Sequence, residues 1–210
     1  SDESQASILS FTCETDFVSK NEDFQSLAQD IMKVAFENNL ESIDEVLASE
    51  INGSTIEQLI LEMVGKIGEK IKISDFRIMS GEKIVPYIHA GSKLGVLVSI
   101  NNTANTDYVT AGKDIAMQIA AMNPIALDRD KVDQSVIEKE IEIGKEQARK
   151  EGKPEQIIEK IAQGKLQKFF KENTLLSQSF VKDNSLTIKS YLATFSKELS
   201  IESFIRISIG

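Results

Sequence analysis

Few side chains in this sequence could support covalent or metal chemistry. The chain has one cysteine, Cys13, and one histidine, His89. A zinc site needs several cysteine or histidine ligands, so the composition predicts none. A Ser–His–Asp or Cys–His arrangement would have to use His89, and no nucleophile-elbow motif lies near it. A single cysteine forms no intramolecular disulfide, which suits a reducing compartment.

Other kinds of enzyme site also lack a sequence signal. The segments GEKI (81–84) and GSKLG (91–95) do not have the spacing of glycines, lysine and hydroxyl that a phosphate loop requires. An acid–base enzyme would need a pair of carboxyl groups with strongly shifted pKa values in a cleft. No acidic pair in the sequence stands out in this way. We therefore expect no cofactor and no covalent catalysis.

The segment CETDFVSKNEDFQ (13–25) carries a large aromatic side chain, Phe17, on a connection that is usually small and polar. A structural reading is a hydrophobic staple at the start of the next helix. Neither a capping box of Ser19 and Glu22 nor a cap at Asn21 uses the aromatic ring in a staple. The ring could still pack into its own core from the loop.

A functional reading of the same segment is an exposed aromatic beside a carboxylate, Asp16. Binding hot spots favour such residues. The letters TDFV (15–18) recur as TDYV (106–109), again between a strand-like run and a helix-like run. Two similarly built subdomains would explain the repeat. Because a packing motif would naturally recur, the repeat favours the structural reading.

His89 lies in YIHAGSKLGVL (87–97), where a strand runs into a glycine-rich turn. A lone histidine at such a place is more often a surface or hydrogen-bonded residue than a functional one. Chemistry alone therefore gives His89 only a minor claim to function.

Composition narrows the class of partner. The chain has 210 residues, 41% hydrophobic and 27% charged, with a net charge of −9. This is ordinary globular composition, and an acidic chain without a basic face is not expected to bind nucleic acid directly. No apolar run is long enough to span a membrane, and no signal peptide opens the chain. The chain starts at Ser1 rather than Met, which suggests a trimmed or processed protein.

Hydrophobic periodicity predicts an α+β fold with small antiparallel sheets packed on helices. We expect a first subdomain over 1–88 and a second over 89–210, interrupted by an antiparallel helical hairpin at 131–172. Gly152 and Pro154 mark the turn of that hairpin. The predicted elements are a strand at 7–14, helices at 21–37, 42–49 and 54–67, strands between 70 and 100, a helix at 106–122, a helix at 185–199 and a final strand at 202–209.

CETDFVSKNEDFQ resembles the signature of translation elongation factor Ts. KIGEKIKI, YIHAG…LGVLV, DIAMQIAA, EKE…GKPEQIIEKI…GKLQKF and the closing FIRISIG follow in the order and near the spacing of that family. The resemblance covers essentially the whole chain. It implies a guanine nucleotide exchange factor for elongation factor Tu, built from two α+β subdomains with an inserted coiled-coil hairpin.

The resemblance also implies which residues meet the GTPase. Asp16 and Phe17, flanked by Thr15 and Val18, match the pair that enters near the magnesium site, where the ring wedges into a pocket. His89 matches a histidine that contacts the GTPase, in a turn that is one residue longer than in some relatives. The implied partner is elongation factor Tu, GDP-bound or nucleotide-free, in a bacterial cytoplasm or an organellar matrix, and a homodimer is a further partner to consider.

One departure from the family lies at the start of the chain. Family members begin with a small ubiquitin-associated-like helical module, and nothing before Ser7 could form it. We expect the chain to keep the wedge and to bind more weakly. The alternative function is a non-catalytic assembly or adaptor protein that uses the helical hairpin. Alanine at Asp16 and Phe17 would leave that role intact and abolish exchange.

Overall fold

The computed structural model describes residues 3–209 and confirms the predicted α+β class, with small sheets packed on helices. Its strands are β1 (Gln5–Thr12), β2 (Glu50–Ile51), β3 (Ser54–Thr55), β4 (Lys72–Ser80), β5 (Lys83–Ile88), β6 (Leu94–Asn101), β7 (Ser179–Phe180), β8 (Asp183–Thr187) and β9 (Ser200–Ser208). Its helices are α1 (Asp16–Ser19), α2 (Glu22–Glu37), α3 (Ile43–Ala48), α4 (Ile56–Ile67), α5 (Tyr108–Met122), α6 (Gln134–Lys150), α7 (Glu155–Asn173) and α8 (Ile188–Phe195).

The chain forms two compact units, one of residues 3–99 with 205–209 and the other of residues 100–204. The boundary lies after Ser99, whereas the sequence placed the division of the subdomains at residue 88. The observed boundary differs because of strand pairing: β5 and β6 are hydrogen-bonded neighbours in a sheet of order β5-β6-β9. A division at 88 would separate these two strands.

The core of the first unit lies between strands and helices. β1 pairs with β4 in antiparallel register, with a bulge between Ser10 and Phe11. Phe11 stacks on Phe24 of α2 with ring centroids 4.5 Å apart, and the cluster continues through Ile31 and Ile60. Its members include the strand face that the sequence predicted, since Leu9 and Cys13 also pack against it.

The second unit contains the helical hairpin at the predicted place. α6 and α7 are in extensive contact, and Gly152, with φ of 70°, provides the left-handed residue between them. The two helices approach each other closely at Gly144, where an added Cβ would lie 3.1 Å from the Cα of Ala162. A side chain at this glycine would push the two helices apart.

Three local predictions were wrong. The expected helix at 185–199 is observed only at Ile188–Phe195, because residues 183–187 form strand β8, which pairs with β7, and Thr187 is the N-cap of the helix. The first capping box fails because α2 is capped by Asn21 rather than Ser19. The box expected at Ser54 and Glu57 is shifted by one residue, to the pair Thr55 and Gln58.

Candidate functional site

The connection from β1 to α2 is a one-turn helix with its own cap. Thr15 is the N-cap of α1, and its hydroxyl oxygen accepts the amide hydrogen of Val18 at 3.4 Å. The next helix, α2, follows directly, and the side chain of its N-cap, Asn21, accepts the amide hydrogen of Phe24 at 3.2 Å. We call residues Thr15–Val18 the Phe17 turn. Two caps in quick succession fix its backbone although it is short.

Phe17 points into solvent. Its side chain is 90% exposed, whereas the next residue, Val18, is 8% exposed and belongs to the core of the first unit. Successive helical residues are about 100° apart around the axis, so burying Val18 turns Phe17 away from the core. The reading in which the ring packs into its own core is therefore wrong.

Asp16 is held by a partner that sequence reasoning missed. Its carboxylate Oδ1 lies 2.9 Å from Nζ of Lys93, and both side chains are more than half exposed. The hydrogen bond from Lys93, followed by the attraction of its positive charge, lowers the pKa of Asp16 below its usual range. Asp16 is therefore ionised at neutral pH and is accessible to another molecule.

His89 lies in the same turn of the chain as Lys93. The imidazole is exposed and its Nδ1 is 2.9 Å from the hydroxyl of Tyr87. Gly91 and Ser92 adopt positive φ values of 88° and 55°, and the amide of Ser92 donates to the carbonyl of His89. The structure thus brings the 89–93 turn to the Phe17 turn through Lys93.

Glu69 is the second residue that sequence reasoning missed. One of its oxygens accepts the backbone amide hydrogens of Glu14 and Thr15 at 3.1 and 3.0 Å, and the other accepts the hydroxyl of Thr15 at 2.6 Å. Glu69 and Thr15 are 54 positions apart in the chain. No local periodicity carries such a contact, so the sequence offered no signal for it.

The described residues carry no sign of a metal site or a membrane-spanning helix. Within residues 3–209, histidine, cysteine and carboxylate side chains form no group of three or more that could hold a metal ion. Over the same residues, no helix has the length and apolar character needed to cross a membrane.

An α+β protein that presents a fixed, exposed aromatic next to a carboxylate has the surface of a protein-binding factor. A family model described as elongation factor TS matches residues 14–210. The elongation factor Ts of Amoebophilus asiaticus is 51% identical over 203 residues, which are 97% of this chain and 73% of that relative. The factor from Cytophaga hutchinsonii is 50% identical over 204 residues, with the same coverage. The factor from Clostridium acetobutylicum is 44% identical over 218 residues, covering 100% of this chain and 71% of that relative.

The chain belongs to the elongation factor Ts family, as its sequence motifs predicted. Members of this family are translation elongation factors in protein biosynthesis. The family acts in nucleotide exchange on elongation factor Tu and is not a family of enzymes in the usual sense.

Proposed function

We propose that this chain promotes release of GDP from elongation factor Tu by inserting the Phe17 turn near the Mg²⁺ and phosphate site of the GTPase. The observation that supports this most directly is the 90% exposure of the Phe17 side chain on a fixed turn. An exposed phenyl ring is unfavourable in water, and burial in a partner removes that cost. Asp16 and His89 are proposed to contact the same partner.

Exchange of this kind makes and breaks no covalent bond. The factor binds the nucleotide-free GTPase better than the GDP-bound form, and by linkage GDP weakens the binding of the factor by the same ratio. Converting a population from 1:99 to 99:1 requires a difference in binding free energy of about 5.5 kcal/mol. Interactions made only in the nucleotide-free complex must supply that difference.

Phe17 is suited to supply part of this difference. Full burial of a phenylalanine side chain is worth about 1.5 to 3 kcal/mol, and aromatic hot spots contribute on the order of 2 kcal/mol or more. A ring that enters a pocket of the GTPase can displace the side chains that orient Mg²⁺. Because a bound Mg²⁺ is the largest local charge at a nucleotide site, a shift of its ligands weakens the hold on the phosphates.

Asp16 is proposed to exchange partners during binding. In the free chain its carboxylate pairs with Lys93 at 2.9 Å, and both groups are solvent-exposed. Exposed ion pairs are screened by water and salt and contribute little to stability. The carboxylate can therefore leave Lys93 for a donor on the GTPase at small cost. Until then, the ion pair with Lys93 holds the carboxylate of Asp16 in a defined position.

The test is stopped-flow release of a fluorescent GDP analogue from purified elongation factor Tu. Phe17→Ala should lower the second-order rate constant of stimulated release about 30-fold, since 2 kcal/mol corresponds to roughly that ratio. Leu61→Ala is the matched control, because Leu61 is also a large exposed apolar residue, at 63%, in the same unit. It should change the rate less than twofold.

Three outcomes would contradict the proposal. A wild-type rate of GDP release with Phe17→Ala would show that the Phe17 ring is not needed for exchange. Equal losses in Phe17→Ala and Leu61→Ala would point to a general apolar effect. If the wild-type chain binds the GTPase without accelerating release, the assembly role of the α6–α7 hairpin becomes the better account.

The relatives named above are bacterial, and we infer that the chain works in a bacterial cytoplasm.

A further inference from the structure

The position of Phe17 requires an explanation, because its side chain makes almost no contact with its own protein. A residue that is 90% exposed cannot be oriented by packing of its ring. Its direction follows from the backbone of Thr15–Val18, and that backbone must therefore be held by something else. The helix α1 has only four residues, too few to be stable alone.

Glu69 is the group that holds the start of this turn. Its two carboxylate oxygens accept from the amides of Glu14 and Thr15 and from the hydroxyl of Thr15. The same hydroxyl oxygen accepts the amide hydrogen of Val18 at 3.4 Å. Glu69 thus acts on the cap of α1, because its carboxylate fixes the orientation of the hydroxyl that performs the capping.

The contact is reciprocal and is anchored in the core. The carboxylate of Glu14 accepts the backbone amide hydrogen of Lys70 at 3.2 Å, so the segments 14–15 and 69–70 are joined in both directions. Glu69 directly follows Gly68, the left-handed C-cap of α4. Since α4 is packed into the core through Ile56 and Ile60, the position of Glu69 is well determined.

We propose that Glu69 is a positioning residue for Phe17, which preorganises the ring for entry into a partner's pocket. This inference rests on the proposed exchange function. A binding element that is already ordered loses less conformational freedom on binding, so its affinity is higher for the same contacts. Removing Glu69 leaves every group of the wedge in place and loosens the backbone that carries it.

The main experiment compares Glu69→Ala and Glu69→Gln in the GDP-release assay over a range of factor concentrations. Glu69→Ala should raise the concentration for half-maximal rate about five- to tenfold, the effect of ordering one or two groups on binding. The maximal rate should stay within about twofold of wild type, because the bound wedge is unchanged. Glu69→Gln keeps a carbonyl acceptor for the amides and should recover much of the loss.

A double-mutant cycle tests whether Glu69 acts through Phe17. Combining Glu69→Ala with Phe17→Ala should cost no more than Phe17→Ala alone, since without the ring nothing remains to be positioned. Independent, multiplying losses would overturn the proposal. Asp23→Ala is the control, because it removes the 2.6 Å ion pair to Lys66 between α2 and α4 without touching the turn. It should leave the concentration dependence unchanged.

A second measurement does not depend on the partner. Amide hydrogen exchange at Glu14 and Thr15 should accelerate about tenfold or more in Glu69→Ala, since both amides lose their acceptor. The core amides of α2 should exchange as in wild type. Unchanged exchange at residues 14 and 15 would overturn the positioning role whatever the activity. If the amides respond but Phe17→Ala has full activity, the proposed function fails, and only the structural hold of Glu69 on the backbone of the turn stands.

Discussion

Two turns of this chain have nearly the same sequence, TDFV at residues 15–18 and TDYV at 106–109, and each connects a strand to a helix. They are capped differently. In the first turn Thr15 is the N-cap, while in the second the N-cap is Asp107, whose carboxylate accepts the amide hydrogen of Thr110 at 3.1 Å. The hydroxyl of Thr106 is directed elsewhere, to the carbonyl of Thr103 at 2.7 Å.

The N-cap of the second turn lies one motif position later than that of the first, and this shift decides which residue of the motif is exposed to solvent. In both turns the second helical residue is exposed. That residue is Phe17 in the first turn, at 90%, and Val109 in the second, at 39%. Tyr108 is instead the first helical residue and is half-buried. The repeat therefore does not support a packing role for Phe17, and the same residue types serve different purposes when the cap moves.

The largest contrast is expected in activity. Phe17→Ala should reduce stimulated GDP release about 30-fold while leaving thermal stability unchanged, because an exposed ring contributes little to folding. Tyr108→Ala should do the reverse, with exchange within twofold of wild type and a lower unfolding midpoint. The two measurements are GDP release and thermal unfolding followed by circular dichroism. A loss of exchange in Tyr108→Ala alone would break the comparison.

The two valines offer a matched test of burial. Val18→Ala removes methyl groups from a core position and should destabilise the first unit by about 1.5 kcal/mol. Val109→Ala, at a position 39% exposed, should change stability by less than about 0.5 kcal/mol. Urea unfolding of both variants checks the prediction. Equal losses of stability in the two variants would mean that Val18 and Val109 contribute equally to packing, which would contradict the difference between the two turns.

The caps should separate the two aspartates. Asp107→Ala removes an N-cap and should lower the thermal midpoint by about 2 °C. Asp16→Ala should leave the midpoint unchanged, since Thr15 caps that turn and the pair with Lys93 is exposed. Asp107→Asn, which keeps a capping oxygen, is the control and should retain the wild-type midpoint. A larger loss in Asp16→Ala than in Asp107→Ala would contradict the assignment of the caps.

The smallest effect concerns proton binding. Lys93 lowers the pKa of Asp16, and the hydrogen bonds from Thr110, first that of its side chain, lower the pKa of Asp107. A carboxyl with a lowered folded-state pKa stabilises the fold above its ordinary pKa of about 4. That contribution is lost as the pH falls through the lowered value.

Titration of the carboxyl carbons by nuclear magnetic resonance distinguishes the two causes. Lys93→Ala should return the pKa of Asp16 towards its ordinary value and leave that of Asp107 where it is. A rise at both residues in this variant would show that the two carboxyl groups do not have separate causes for their shifts.

Much of the local structure could be predicted because its causes lie close together in the chain. The helix expected at 21–37 is observed at Glu22–Glu37, and that expected at 106–122 is observed at Tyr108–Met122. Gly152 occupies the left-handed position expected in the hairpin turn. The helix expected at 185–199 was predicted too long at its start, where the short hairpin of β7 and β8 forms instead. A polar segment with a few apolar residues is compatible with either a helix or a hairpin strand.

The candidate site divides in the same way. Thr15, Asp16, Phe17 and Val18 came from one contiguous motif, CETDFVSKNEDFQ, and His89 came from a second one, YIHAGSKLGVL. Lys93 and Glu69 did not, because their roles arise from side chains that meet only after folding. Whether Phe17 faces the core or solvent also depends on whether the threonine hydroxyl of the motif caps the helix, as in Thr15, or bonds to another group, as in Thr106. The four residues of the motif alone do not decide between these two arrangements.

The amino-acid sequence by itself determined the longer helices and strands to within a few residues, and the family, because periodicity, capping and motif order act between residues that are near neighbours in the chain. The tertiary structure alone decided that Phe17 stands in solvent, that Lys93 pairs with Asp16 and that Glu69 holds the turn. Those contacts join residues such as Thr15 and Glu69, which are 54 positions apart, and only the packing of α4 against the strands brings such residues together.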